Sequence, residues 1–454
     1  MTQNRGGFQT KLGVVLATAG SAVGLGNIWR FPYMTGQNGG AAFILIYIGC
    51  VLLLGIPGMV SEFIVGRHSS ANAARAYRMM PVKGPWGAIG YLGVFTSIII
   101  LGFYAVVAGW CMHYFFASLS GQISGDAAYV KKYFSDYSSS VVRPLICTVG
   151  FILITHLVVM RGVRDGIEKA SNLFMPILFV LLVIIAIASC SLPGAIEGIR
   201  FLFQPDFSKI TSSTVMEALG QAFFSLSLGT ACLCTYASYF SRQTNLIKSA
   251  GSIALIDTII AILAGLMIFP AAFSVHVSPD SGPNLIFITL PNVFNQAFAS
   301  VPFVGWIISL LFYILLMLAA LTSTISMHEI GTAFFYEELH ITRSRGAWIE
   351  TGLAVFVGVF CTLSFGAVDS FTSFIDGKNI LGCCDYLTSD ILLPFGSFFT
   401  TIFIGWFVPK KITYNELTNW GTLSSWFYRP FLFLVRFVCP LCIGLIFLHQ
   451  LGLI

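Results

Sequence analysis

The sequence predicts an all-α polytopic membrane protein of about 11 transmembrane helices, and three observations carry that reading. Hydrophobic residues make up 56% of the 454-residue chain and charged residues only 9%, where an average soluble domain carries roughly 25% charged residues. Mean hydropathy is +0.85. Uncharged stretches recur along the whole length, each near the roughly 20 residues needed to cross a hydrocarbon layer about 30 Å thick.

These stretches run approximately over 11–36, 41–66, 87–118, 143–160, 167–191, 215–241, 246–275, 303–335, 347–366, 376–408 and 430–452. No linker or low-complexity segment divides them, so 1–454 reads as a single transmembrane domain. The first stretch is not a cleavable signal. It is interrupted by Gly20, Gly24, Gly26, Arg30 and Pro32, and further apolar stretches follow it.

Cytoplasmic loops hold an excess of Lys and Arg. Of the 24 such residues, Arg30 and Arg436 lie within spans; with the N-terminus inside, only Lys131, Lys132, Arg143, Arg200, Lys209 and Lys378 fall outside. The remaining positions, among them Arg5, Lys83, Arg164 and Lys411, fall inside. This places the chain in the cell's inner (plasma) membrane with the N-terminus cytoplasmic and the C-terminus outside. The net charge of +5 reflects these anchors and implies membrane lipid, not nucleic acid, as the surroundings. The 11 cysteines fall almost entirely in apolar stretches and read as small hydrophobes rather than a disulfide framework.

Punctuation inside the spans carries the functional signal. The first span contains Gly20-Ser21-Ala22-Val23-Gly24-Leu25-Gly26-Asn27, and the sixth Phe224-Ser225-Leu226-Ser227-Leu228-Gly229-Thr230. A helix in lipid cannot expose open backbone, so breaks at mid-depth must line a cavity. Interrupted helices at corresponding places in two halves are the sign of inverted repeats with a site between them. Repeat one is expected over about 11–191, repeat two over about 215–408, with an additional helix at about 430–452. Opened helix ends offer N–H groups to a carboxylate and carbonyls to a cation.

Ionisable groups at depth are costly and mark sites. Arg30 lies beyond the first break, and Asp385, in the tenth span, is its expected partner. Asp257 in the seventh span has no basic neighbour within a turn, so it is expected to be protonated or bound to a cation. Thr322, Ser323 and Thr324 offer hydroxyls in the eighth span. Glu329, also there, reads as a structural hydrogen-bonding residue. The seven histidines show no HExxH or paired spacing, which argues against an enzyme.

The chain resembles the neurotransmitter:sodium symporters, in particular their bacterial amino-acid members. The resemblance rests on Gly24-Leu25-Gly26-Asn27-Ile28-Trp29-Arg30-Phe31-Pro32-Tyr33, Asn38-Gly39-Gly40, Gln221 through Gly229, and Asn284-Leu285-Ile286-Phe287-Ile288-Thr289-Leu290-Pro291, and it covers nearly the whole chain. It implies two sodium ions. The first would be held by the Ala22 carbonyl, Asn27, Ser225, Asp257 and the substrate carboxylate. The second would be held by backbone oxygens of Gly20, Val23 and Ala319 with the hydroxyls of Thr322 and Ser323.

The substrate carboxylate would meet the N–H groups around Leu25 and Gly26 and the Tyr104 hydroxyl, and its ammonium the carbonyls near Ala22, Phe224 and Ser227. Ser21, Ile100, Thr230, Ser323 and Met327 would set specificity. The outer gate would be Arg30 with Asp385, and Phe224 with Tyr104, near Gln221. The inner gate would be Arg5 with Glu337, supported by Ser238 and Tyr239. Gly166 and Pro176 in the fifth span would mark a place of local unwinding.

Two departures refine this picture. Gly24 stands where monoamine carriers place an aspartate, which favours an amino acid. Animal members have Asn at the position of Asp257 and a chloride-binding Ser at that of Ala261. A fixed carboxylate on that helix face therefore predicts that chloride is not required. Small Ser21 and Thr230 beside adaptable Met327 predict a pocket for tyrosine, tryptophan or leucine. The alternative is a sodium-coupled carrier of another zwitterion, such as an osmolyte or a γ-amino acid. The expected assembly is a monomer or weak homodimer.

Overall fold

Each segment inside lipid must close its own backbone hydrogen bonds, and this chain does so with helices throughout. The computed structural model describes residues 7–276, 284–375 and 377–450. Among these, 9 helices are long and apolar enough to cross a membrane, from Ala41–Ser69 to Tyr428–His449. A tenth span is the pair Lys11–Ala22 and Gly26–Gln37, bent by 57° at the Gly-rich break.

The sixth expected span is present but divided more severely. Its halves are Ser212–Ser225 and Cys232–Ala237, too short separately to cross. Ser227, Gly229 and Ala231 between them all have positive φ, 54°, 81° and 63°. For Ser and Ala this left-handed backbone costs about 1–2 kcal/mol each, so neighbouring contacts must hold it. All the expected spans thus appear as helix in the expected order, with the sixth reduced to a broken one.

The third (Gly87–Leu119), fourth (Val142–Met160), eighth (Pro302–Glu338) and ninth (Arg343–Leu363) spans pack most extensively on one another. Glycines allow the closest approaches: a Cβ at Gly102 would fall 2.4 Å from Val357 Cβ, and one at Gly109 2.7 Å from Thr148 N. A buried polar seam crosses this group. His156 and His328 both bond the Thr351 hydroxyl at 2.8 Å, and the Thr155 and Thr324 hydroxyls lie 2.9 Å apart. Thr324 therefore turns toward the fourth span, away from Thr322 and Ser323.

The first span packs against the fifth (Val163–Cys190), seventh (Leu246–Ser274) and eighth, and the second half of the sixth packs against the second span. The fifth begins as a π-helical turn, Val163–Glu168, that contains Gly166, and Pro176 lies within the regular helix that follows. Segments between the expected spans also form helices, Ala127–Ser138 and Leu290–Ala297 among them.

Arg67, at the end of the second span, is buried against the short helix Lys410–Thr418. Its Nε donates to Glu416 Oε2 at 2.6 Å, and its Nη1 to Asn419 Oδ1 at 3.1 Å. Removing one member strands a buried charge, at about 3–5 kcal/mol. Arg67→Met is expected to lower the detergent-solubilised melting temperature sharply, and Arg67→Met with Glu416→Leu to recover part of the loss. Equal melting of the single and double variants would contradict this.

Candidate substrate and ion site

The break in the first span redirects its backbone donors. Gly24 N–H donates to Asn27 Oδ1 (3.0 Å) and Leu25 N–H to the Tyr104 hydroxyl (2.9 Å). Neither serves the carbonyl one turn earlier, so Gly20 and Ser21 present oxygens sideways. The Ser227 hydroxyl, from the opposing break, donates to Ser21 O at 3.2 Å. The two interruptions therefore face one another.

Three of the four residues expected around the first ion, Asn27, Ser225 and Asp257, converge tightly. The Asn27 Nδ2 group donates to Ser225 Oγ (3.3 Å), Asp257 O (3.3 Å) and Asp257 Oδ1 (2.8 Å). That amide N–H₂ stands where several oxygens meet, the donor set a hard cation takes. Ala22, directly before the break, lines the adjoining cavity. Asp257 is fully buried, and it is not the lone group its sequence neighbours suggest. Its Oδ2 accepts from Ser225 Oγ (2.6 Å) and Tyr47 Oη (3.1 Å).

The second expected ion position is equally compact. Ser323 Oγ lies 3.2 Å and Thr322 Oγ1 3.4 Å from Val23 O, and Thr322 Oγ1 lies 3.0 Å from Ala319 O. A Cβ at Gly20 would touch Thr322 Cβ at 3.4 Å. Two hydroxyls and three carbonyl-bearing residues thus share one buried locus between the first and eighth spans.

Beside both lies a cavity of about 390 Å³. Ser21, Ala22, Gly24, Gly26, Ile100, Tyr104, Phe224, Ser225, Ser227, Thr230, Ser323 and Met327 all line it, with Phe103 and Val107 adding apolar surface. Leu25 contributes through its N–H. Gly24 has no room for a side chain: a Cβ would fall 2.5 Å from Ser323 Oγ and 2.8 Å from Tyr104 Oη. The Phe224 ring closes over Gly26, where a Cβ would fall 2.7 Å from it.

The cavity continues to Arg30, Asp385 and Asp390. The expected Arg30–Asp385 ion pair is not formed. Arg30 instead lies over the Phe224 ring, 4.2 Å from its centroid, and Asp385 Oδ1 accepts from the Ser389 hydroxyl at 2.8 Å. Pairing fails because Arg30 and Asp385 face each other across a cavity that stands open between them. Gln221, on the same helix as Phe224, is fully buried.

The other end is tied together by polar contacts. Glu168 accepts from Gln9 N (2.9 Å), Thr10 N (3.2 Å) and Thr10 Oγ1 (2.8 Å), tying the start of the first span to the fifth. Tyr239 Oη donates to Glu329 Oε1 at 2.6 Å, and Glu329 forms an ion pair with Arg343. Glu329 is therefore a charged tie between spans, more than a lone hydrogen-bonding residue. Ser238 donates to Thr235 O at 2.5 Å. Glu337 Oε2 accepts from Asn72 N–H at 2.8 Å, while Arg5 lies outside the described residues.

The model of the sodium:neurotransmitter symporter family matches residues 5–138 and 130–453. This chain belongs to that family. It is 39% identical to the uncharacterized sodium-dependent transporter YhdH of Bacillus subtilis over 98% of both chains. It is 34% identical to an uncharacterized sodium-dependent transporter of Haemophilus influenzae over 99% of this chain and 100% of the other. Among solved structures, MhsT in complex with L-phenylalanine superposes with a TM-score of 0.89 at 38% identity, covering 98% of this chain and 100% of that one. The protein is a multi-pass sodium-dependent transporter, and its family consists of secondary transporters rather than enzymes.

Sequence reasoning passed over several residues that build this symporter's site. Glu62 sits fully inside the second apolar stretch, and its Oε1 accepts from Gly229 N–H at 2.8 Å, fixing the sixth-span break. The rule that singled out Asp257, a carboxylate alone in an apolar run, applies equally to Glu62. Tyr47 and Glu168 carried no such signal, because their partners Asp257 and Thr10 lie far away in sequence, and Arg343 reads as an ordinary cytoplasmic anchor at the start of a span.

Gly24→Ala is expected to weaken sodium-dependent substrate binding by roughly tenfold or more, since overpacking costs about 1–3 kcal/mol. Binding by Gly24→Ala at the parent's affinity would show that Tyr104 and Ser323 do not enclose the site.

Proposed function

We propose that this symporter imports a large hydrophobic or aromatic α-amino acid, such as tyrosine, tryptophan or leucine, together with two sodium ions. The observation that carries the reading is the cavity itself: opened backbone and the Tyr104 hydroxyl line it together with the apolar side chains of Ile100, Phe103, Val107 and Met327. Such a pocket suits a zwitterion with an apolar side chain. The L-phenylalanine bound to MhsT supports the same class.

The first sodium is assigned to Ala22, Asn27, Ser225 and Asp257, with the substrate carboxylate closing its shell, so that ion and substrate bind as one unit. The second is assigned to Gly20, Val23, Ala319, Thr322 and Ser323, bridging the first and eighth spans. When bound, the ions supply positive charge to the opened carbonyls, and the protein's own part is to hold those oxygens at fixed spacing. The Asp257 carboxylate, taking donors from Tyr47 and Ser225, supplies a resident negative charge that makes chloride unnecessary.

Transport proceeds by alternating access between two repeats, about 11–191 and 215–408. Arg30 and Asp385 close the outer side with Phe224 over the substrate. Arg5 and Glu337, with Ser238 and Tyr239, close the inner side, which faces the cytoplasm with the N-terminus. Phe224 already overlies Gly26, so closure needs only the Arg30 end to narrow.

Labelled tyrosine, tryptophan and leucine are expected to bind the purified protein in sodium and not in potassium buffer, and a sodium gradient to drive their uptake into proteoliposomes. Asp257→Ala is expected to weaken the best ligand by roughly tenfold or more, the scale of hydrogen bonds to a charged group. Failure of all three amino acids would move the substrate to another zwitterion. In the same vesicles, replacing chloride with gluconate is expected to leave uptake unchanged; a chloride requirement would remove the role given to Asp257.

A further inference from the structure

One charged group in the cavity has no place in the gate described above. Asp390 lines the cavity together with Arg30, Asp385 and Ser389. On a regular α-helix, residues five apart diverge around the axis. Here the tenth span runs as a π-helix over Tyr386–Leu392, and its i→i+5 bonding widens the turn so that a residue five positions on returns toward the same face. Asp385 and Asp390 consequently reach the cavity from successive turns of one helix.

Arg30 stands before both carboxylates and is paired with neither; its contact is the Phe224 ring. Asp385 already has a donor in Ser389. Asp390 is half-buried and has no hydrogen-bond partner among the described residues. The charges that act on it are Arg30 and Lys378, opposed by Asp385. Lys378 is itself engaged, 3.7 Å over the centroid of the Tyr386 ring. Arg30 also borders a small crevice lined by Phe224, Ser389 and Leu393, so its side chain reaches the turn that carries Asp390.

We propose that Asp390 is a second acceptor for Arg30, one turn further along the tenth span than Asp385, so that the outer gate closes onto two carboxylates. Arg30 has five N–H donors in a fixed fork, enough to bridge both. Asp390 holds the guanidinium low, against Phe224, while Asp385 draws it across the cavity. With two acceptors the gate retains a partner when either is lost. This inference rests on the reading of Arg30 and Asp385 as the outer gate, and Asp390 acts in it as a positioning residue.

Sodium-driven uptake and sodium-dependent binding would be measured for Asp385→Asn, Asp390→Asn, the double variant, Asp390→Glu and Arg30→Gln. Each single Asn variant is expected to slow uptake about two- to fivefold, the scale of a half-exposed ion pair. The double variant is expected to slow it by far more than the product of the two, while binding to the purified protein persists. Asp390→Glu, which keeps the charge, is expected to transport near the parent rate. If Asp390→Asn matches the parent and the double variant is no slower than Asp385→Asn, the second acceptor is refuted and the gate stands. If Asp390→Glu is as slow as Asp390→Asn, charge is not what counts and the proposal falls. If Arg30→Gln, Asp385→Asn and the double variant all match the parent, the gate itself is wrong.

Discussion

The structure depends on backbone left open inside a membrane. Two helices are interrupted at mid-depth, and each unpaired N–H or carbonyl there would cost several kcal/mol in hydrocarbon. The protein meets that cost by facing the breaks toward each other and supplying partners from intact helices. Tyr104 takes the Leu25 N–H, Glu62 takes the Gly229 N–H, and the Thr322 and Ser323 hydroxyls reach Val23 O. The oxygens gathered in this way are the ones the proposed sodium and substrate sites use, so in that proposal stability and binding draw on the same groups.

The division of labour among the helices follows from this. The third, fourth, eighth and ninth spans pack closely through small residues and a buried His–Thr seam, making a stiff wall. The broken first and sixth spans lie where that wall meets the remaining helices, and the first packs along the eighth. One end of the cavity is fastened by charged ties, Glu168 to Thr10 and Arg343 to Glu329. At the other end Arg30, Asp385 and Asp390 stand apart.

Much of this was legible in the residues. The span boundaries follow from hydropathy because lipid enforces helix wherever a long apolar run occurs, and most expected ends lie within a few residues of the observed ones. The clustering of Asn27, Ser225 and Asp257 was reachable only through family resemblance, since nothing in their spacing brings residues on three separate helices together. Glu62 was missed although its signal, a carboxylate alone in an apolar run, was the same as that of Asp257. The Arg30–Asp385 pair was expected and is absent because pairing depends on whether the cavity is open, a property of the conformation and not of the two residues.

By itself, then, the sequence determined that the chain is a helical membrane protein, where its helices run and where two of them break. Those are local consequences of apolar length and of glycine and polar clusters in a solvent that cannot satisfy backbone. Only the tertiary structure decided which oxygens converge, that Gly24 is walled in by Tyr104 and Ser323, and that Asp385 and Asp390 line the same cavity as Arg30. These depend on how distant helices approach and rotate against one another, and the packing of the whole bundle sets that.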